Sequence, residues 1–202
     1  MHTARPVSLG SVQANRGRGL EDLLTLQHAR YERDGRAWLR HPPATVTVQR
    51  REGAIVGARY TEAAQADYAG FVCGGRHGRA VAAEAKETRA GLLPWGRLPP
   101  QQQEHLDACL AAGGVAALIV WWLPDQTLRA GNPRRTRSEV WCVPWAECVR
   151  LRLADIPGLR WTPAPQGDTW RVEAGRRGLC DWLAVIERAE ALRGEVEVNG
   201  EH

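Results

Sequence analysis

Glu84-Ala85-Lys86 places an acid and an amine two residues apart, directly after the apolar run Ala80 to Ala83. Arg79 to Lys86 reads as a strand, where alternate residues point to the same face. Glu84 and Lys86 therefore project together and Ala85 points away. Asp67 stands just before a second strand candidate, Tyr68 to Cys73. The stretch Gly74-Gly75-Arg76-His77-Gly78 between the two reads as a turn, so the pair reads as a hairpin. That hairpin would bring Asp67 to the same end of the sheet as Glu84. Two carboxylates and one ammonium suit phosphodiester hydrolysis. Carboxylates are hard oxygen ligands for Mg²⁺, which completes its octahedron with water and phosphate. The ion lowers the pKa of a bound water and neutralises charge on the phosphate, and a lysine can stabilise the transition state. An E-x-K triplet is also the pattern of an exposed strand ion pair. Spacing alone leaves both readings open.

The elements that must hold these residues follow from periodicity. Leu20, Leu23, Leu24, Gln27, His28 and Tyr31 recur at three- and four-residue steps, which predicts a helix from near Gly17 to a stop at Gly35. Trp38 to Arg40 and Thr45 to Arg50 read as strands broken by Pro42-Pro43. A loop covers Thr88 to Pro100, and a helix runs from about Gln101 to Ala112. Val115 to Leu123 is an apolar strand, Glu139 to Val143 another, and Asp181 to Leu192 a late helix. The order predicts an α/β fold with a mixed β-sheet flanked by helices. Residues 1–14 read as a flexible N-terminal arm, and 15–202 as a single domain. The segment 150–178, rich in Trp and Pro, gives no clear signal.

Composition bounds the class. The chain has 202 residues, of which 44% are hydrophobic, enough for one well-packed core. No apolar run reaches membrane-spanning length, and the first residues lack the apolar stretch of a secretory signal. The expectation is a soluble, cytoplasmic protein without membrane contact. The cysteines, Cys73, Cys109, Cys142, Cys148 and Cys180, are odd in number and form no CxxC pair, so buried reduced thiols are expected. Net charge is +4, carried nearly all by arginine, which forks onto phosphate. The same excess suits a GC-rich genome. Nine tryptophans include Trp121-Trp122 on the apolar strand, where burial is expected on opposite faces.

Several short motifs in one order carry a resemblance. Asp67-Tyr68-Ala69-Gly70 followed by Glu84-Ala85-Lys86-Glu87-Thr88 resembles the RecU family of Holliday-junction resolvases. Asn15-Arg16-Gly17 with Leu20-Glu21 is similar to that family's opening, and Gln102, Glu104 and His105 match its Q-x-E-H helix. Asp181-Trp182-Leu183 matches near the end. An ordered set is far more specific than any one motif.

The resemblance implies a PD-(D/E)xK, restriction-endonuclease-like nuclease core. It implies Asp67 and Glu84 as metal-binding carboxylates, Gln102 near the metal and Lys86 as the transition-state lysine. Glu21 matches an acidic residue supporting the site, and a solvated first-turn glutamate is the competing reading. Mg²⁺ is the implied cofactor, with Mn²⁺ as a substitute, and a homodimer acting on four-way junction DNA the implied assembly. A stalk-like insertion falls at about 50–65, where Arg50, Arg51 and Arg59 suit phosphate, as do Arg16, Arg18 and Arg89. The Arg134, Arg135 and Arg137 loop suits phosphate or plain solvent equally. Gln65, Ala66 and Ala69 depart from the family pattern, so the family's threonine-derived metal contact is either missing here or replaced by a glutamine oxygen of Gln65. The rivals are another repair or restriction-like nuclease of the superfamily and a catalytically inactive junction binder.

Overall fold

A computed structural model describes residues 18–42, 46–51, 53–60, 65–73, 78–124, 137–163, 168–173 and 180–199. The chain runs α1 (Arg18–Arg33), β1 (Ala37–Arg40), β2 (Val46–Arg51), β3 (Ala54–Tyr60), β4 (Tyr68–Val72) and β5 (Arg79–Thr88). It continues with β6 (Leu92–Pro94), α2 (Pro100–Ala111), β7 (Val115–Trp122), β8 (Glu139–Pro144), α3 (Trp145–Leu153), β9 (Gly158–Arg160) and α4 (Leu183–Asn199). Five strands form one sheet in the order β1-β4-β5-β7-β8. Only the β5–β7 pair is parallel, so the sheet is mixed, as the sequence predicts.

The two faces of this sheet bury different residues. One packs Ala37, Leu39, Tyr68, Val81 and Ala83 against Leu20 and Leu24 of α1 and Leu183 and Ile186 of α4. The other packs Ala82, Leu118 and Val120 against Leu106 of α2 and Trp145 of α3. All eight residues of β7 are buried, since this strand lies between β5 and β8 with helices on both faces. Each large apolar side chain so buried contributes roughly 1.5–3 kcal/mol. Trp121 enters the first core and Trp122 the second, where it meets Trp141 edge-on at 5.5 Å.

Gly35 ends α1 with φ 67°, a left-handed conformation that glycine adopts without strain. Gly70 serves another purpose. A Cβ at Gly70 would lie 1.9 Å from the carbonyl oxygen of Trp38 on β1. Only glycine lets β4 pair with β1 at that register, which puts Trp38 opposite Phe71.

Some elements differ from the sequence expectation. Residues 54–60 form β3, which pairs with β2 in a hairpin separate from the main sheet. This hairpin, which starts at Val46, overlaps the stretch 50–65 where a stalk-like insertion is expected, and residues 61–64 fall outside the described residues. The 88–100 segment holds β6 and a short 3-10 turn rather than plain loop. The 150–178 region contributes the end of α3 and then β9, paired with β6. Trp161, Trp141 and Arg171 converge on the Glu139 carboxylate and tie this region to β8. Cys142, Cys148 and Cys180 are buried free thiols, but Cys73 is exposed at the end of β4 and Cys109 half-buried on α2. No described helix is long and apolar enough to cross a membrane. Residues 1–14, Asn15 to Gly17, the 74–77 turn, Arg134 and Arg135 fall outside the described residues.

Candidate active site

β4 and β5 pair antiparallel with Tyr68 opposite Ala83, which brings Asp67 level with Glu84. Two bonds lock them together. The Asp67 backbone N–H donates to Glu84 Oε2 at 3.1 Å, and the Ala85 N–H donates to Asp67 Oδ2 at 2.9 Å. The hydrogen bonds of strand edge and carboxylate thus fix both acids without using all their lone pairs. Lys86 follows on the same face and donates to Glu84 Oε1. Its ammonium also donates to Gln102 Oε1 at 3.3 Å. Gln102 sits in the first turn of α2, buried against this face. Asp67, Glu84, Lys86 and Gln102 therefore meet at one end of the sheet.

Electrostatics set which charge the cluster favours. Glu84 is fully buried. Burial pushes its carboxyl from the ordinary range up to about 7, the Asp67 charge pushes the same way, and Lys86 offsets part of both. Two acids against one ammonium leave an excess negative charge whenever Glu84 ionises. A divalent cation would relieve it. The donor set fits Mg²⁺, which takes one or two carboxylates and keeps waters for its other positions. No group of three or more His, Cys, Asp or Glu suited to a metal occurs among the described residues.

Glu21 lies in the first turn of α1, exposed, and makes no hydrogen bond to this cluster. Its charge acts on Tyr68, the residue after Asp67. Burial pushes the Tyr68 hydroxyl up, and Glu21 and Asp67 push it further. Glu21 thus stands beside the site on the other face of β4. Arg50 and Arg51 are exposed at the end of β2, and Arg89 is exposed just after β5. Arg18 opens α1 and Arg59 belongs to β3, whereas Arg16 lies outside the described residues.

Glu87 has a place that residue spacing did not assign. It falls on the opposite face from Lys86, and its Oε1 accepts the Leu20 N–H at 3.0 Å. A carboxylate on the free N–H groups of a helix start is favourable. The strand that carries Glu84 and Lys86 is tied in this way to the start of α1. The available signal was its odd position in the β5 alternation, next to a helix beginning at Arg18.

Parallel β5–β7 pairing, antiparallel flanking strands and polar residues gathered where β4 begins define a nuclease-like α/β core. Residues 15–128 match the family model RecU, recombination protein U, which is more than half of the chain. The chain belongs to the RecU family, whose members are Holliday-junction resolvases. A search of curated proteins finds no match. β8, α3, β9 and α4, with the Asp181-Trp182-Leu183 motif, lie beyond the matched residues.

Proposed function

We propose that the protein resolves four-way DNA junctions by Mg²⁺-dependent hydrolysis of phosphodiesters in paired opposite strands. The observation that carries this reading is the meeting of Asp67, Glu84 and Lys86 on one sheet face, with Gln102 holding the lysine. Asp67 and Glu84 would hold the ion. Gln102 would add its amide oxygen, which has a second lone pair beside the one Lys86 uses. Mn²⁺ would substitute. When bound, the ion supplies a water of lowered pKa and neutralises charge on the phosphate.

The side chains do the rest. Lys86 Nζ, held by Glu84 and Gln102, presents its remaining proton to a non-bridging phosphate oxygen as charge grows there. The Ala85 and Asp67 N–H bonds keep the carboxylates in place, so little reorganisation is needed at the moment of reaction. Arg16, Arg18, Arg50, Arg51, Arg59 and Arg89 contact phosphates, which gives affinity without base readout. Glu21 supports the site through its charge. Two such sites in a C2 homodimer would cut strands symmetrically. The β2–β3 hairpin, paired only with itself among the described strands, supports the stalk role and favours junctions over plain duplex.

The test is cleavage of a mobile four-way junction with Mg²⁺, beside linear duplex and flap substrates. Paired nicks in the junction alone are expected. Equal cutting of duplex or flap would make the protein a general nuclease of the superfamily. Binding without cutting would make it an inactive junction binder.

A further inference from the structure

The face of the sheet that carries the catalytic cluster is covered only in part. Strand alternation puts Trp38 and Arg40 of β1, Phe71 of β4, and Glu84 and Lys86 of β5 on this one face. α2 and α3 pack over its β5, β7 and β8 portion. Over β1 and β4 the described residues leave it open. There Trp38 and Phe71 are 40% and 46% exposed, unlike the other aromatics of the sheet.

These two rings are ordered. They sit on paired residues of neighbouring strands, stacked at 5.6 Å between centroids and 20° between planes. The Arg40 guanidinium covers the indole at 4.9 Å from its centroid. The result is a stacked ring pair with a guanidinium on its indole, partly open to solvent. Beyond Phe71, its β5 partner is Ala80, exposed and small, so nothing tall on that strand closes the phenyl's other side. From the row of Ala80 to that of Glu84 is four residues along β5, about 13 Å. That is roughly four nucleotide steps of stacked DNA strand.

We infer that the Arg40–Trp38–Phe71 stack is a nucleobase shelf, on which the DNA strand entering the catalytic cluster lays a base. This rests on the nuclease reading above. Exposed aromatics accept any base because every base has a π-face, and a guanidinium nearby suits the adjoining phosphate. Arg40 now pairs with Glu32 at 2.7 Å, with both side chains 46% exposed. Such a surface pair contributes little and can yield to a phosphate. The shelf is continuous with the catalytic face, so a strand on it leads to Glu84. A second copy is the weaker occupant. The two rings expose on the order of 100 Å² each, against about 800 Å² per partner for a stable interface.

The experiment is equilibrium binding of a four-way junction without divalent metal, using Phe71→Leu, Phe71→Tyr and Trp38→Ala beside the wild type. A junction series carrying 2-aminopurine at successive positions flanking the cut reports stacking by quenching. Both residues are exposed, and melting curves confirm that each variant folds. Phe71→Leu and Trp38→Ala are expected to bind about tenfold more weakly and lose the quenching at one position, while Phe71→Tyr keeps both. Wild-type binding and quenching in Phe71→Leu, with cleavage intact, would overturn the shelf and leave the nuclease reading standing. Weaker binding accompanied by dissociation of a dimer in sedimentation would also overturn it, making the patch an interface between copies. A wild-type protein that neither binds nor cuts any DNA would overturn the nuclease reading, and the shelf with it.

Discussion

On one face of β4, α1 and α4 are joined by a polar network in which donors meet acceptors. Tyr31 donates to Asp181 Oδ1 at 2.7 Å and accepts the Leu183 N–H at 3.0 Å. Trp182 donates its indole N–H to His28 Nε2 at 3.1 Å. Burial, helped by His41 and Arg40, pushes His28 down to about 4, so it stays neutral and free to accept. Arg36 balances Asp181 at 2.8 Å. On the other face, Asp67 and Glu84 are equally well held, yet their charges oppose each other and burial pushes Glu84 up to about 7. The contrast separates a network whose charges balance from one left with excess negative charge, which on the proposed function a cation and a substrate would complete. Buried polar groups stabilise when satisfied and cost free energy when they are not.

The comparison breaks first, and most visibly, on activity. Asp67→Asn and Lys86→Ala should each lower single-turnover junction cleavage by roughly 10²–10³-fold, while the melting temperature stays near the wild-type value. A large fall in melting temperature would show that the cluster serves the fold. Tyr31→Phe should do the reverse. It leaves Asp181 and the Leu183 N–H short of a partner, at a cost of about 1–3 kcal/mol in urea denaturation, with cleavage by the folded fraction unchanged.

The pH dependence of stability should run in opposite directions for the two clusters. The folded state raises the Glu84 pKa from 4.5 to about 7. Its stabilising effect is therefore full below pH 4.5 and lost as pH rises through 7. The folded state lowers the His28 pKa from 6.5 to about 4. Its effect is present above pH 6.5 and lost as pH falls through 4. Because the two oppose each other, the Glu84→Gln and wild-type curves in EDTA should be subtracted. The difference should grow by about 1–3 kcal/mol between pH 5 and 8, and Mg²⁺ should remove it. The smallest effect belongs to Gln102→Ala, which removes one neutral acceptor from Lys86 and should slow cleavage about fivefold.

The alignment of Asp67, Glu84 and Lys86 was legible because it needs only two-residue alternation and one short hairpin. β7 was legible because a strand buried on both faces must be apolar throughout. β3 was not, because Gly57 and the register shift between Gln49 and Arg50 break the alternation on which a strand is read. α3 was hidden because it follows β8 at Pro144 without a gap, so the apolar run from Val140 to Ala146 crosses the junction and conceals where the period changes. β9 is three residues long and is held by β6, far away in sequence. The Asp181-Trp182-Leu183 motif could be seen, but its work could not. Asp181 accepts the Ala184 N–H at the start of α4 and meets Tyr31 from 150 positions away. Long-range partners of this kind leave no local pattern.

The most direct test of the central claim is junction cleavage by Glu84→Gln in Mg²⁺, with folding verified by its melting curve. The substitution keeps the shape of the side chain and removes the charge that would hold the ion. The account predicts a folded protein, at least as stable as the wild type at pH 8 without metal, that binds junctions and does not nick them. A folded Glu84→Gln protein that cuts at the wild-type rate would contradict it.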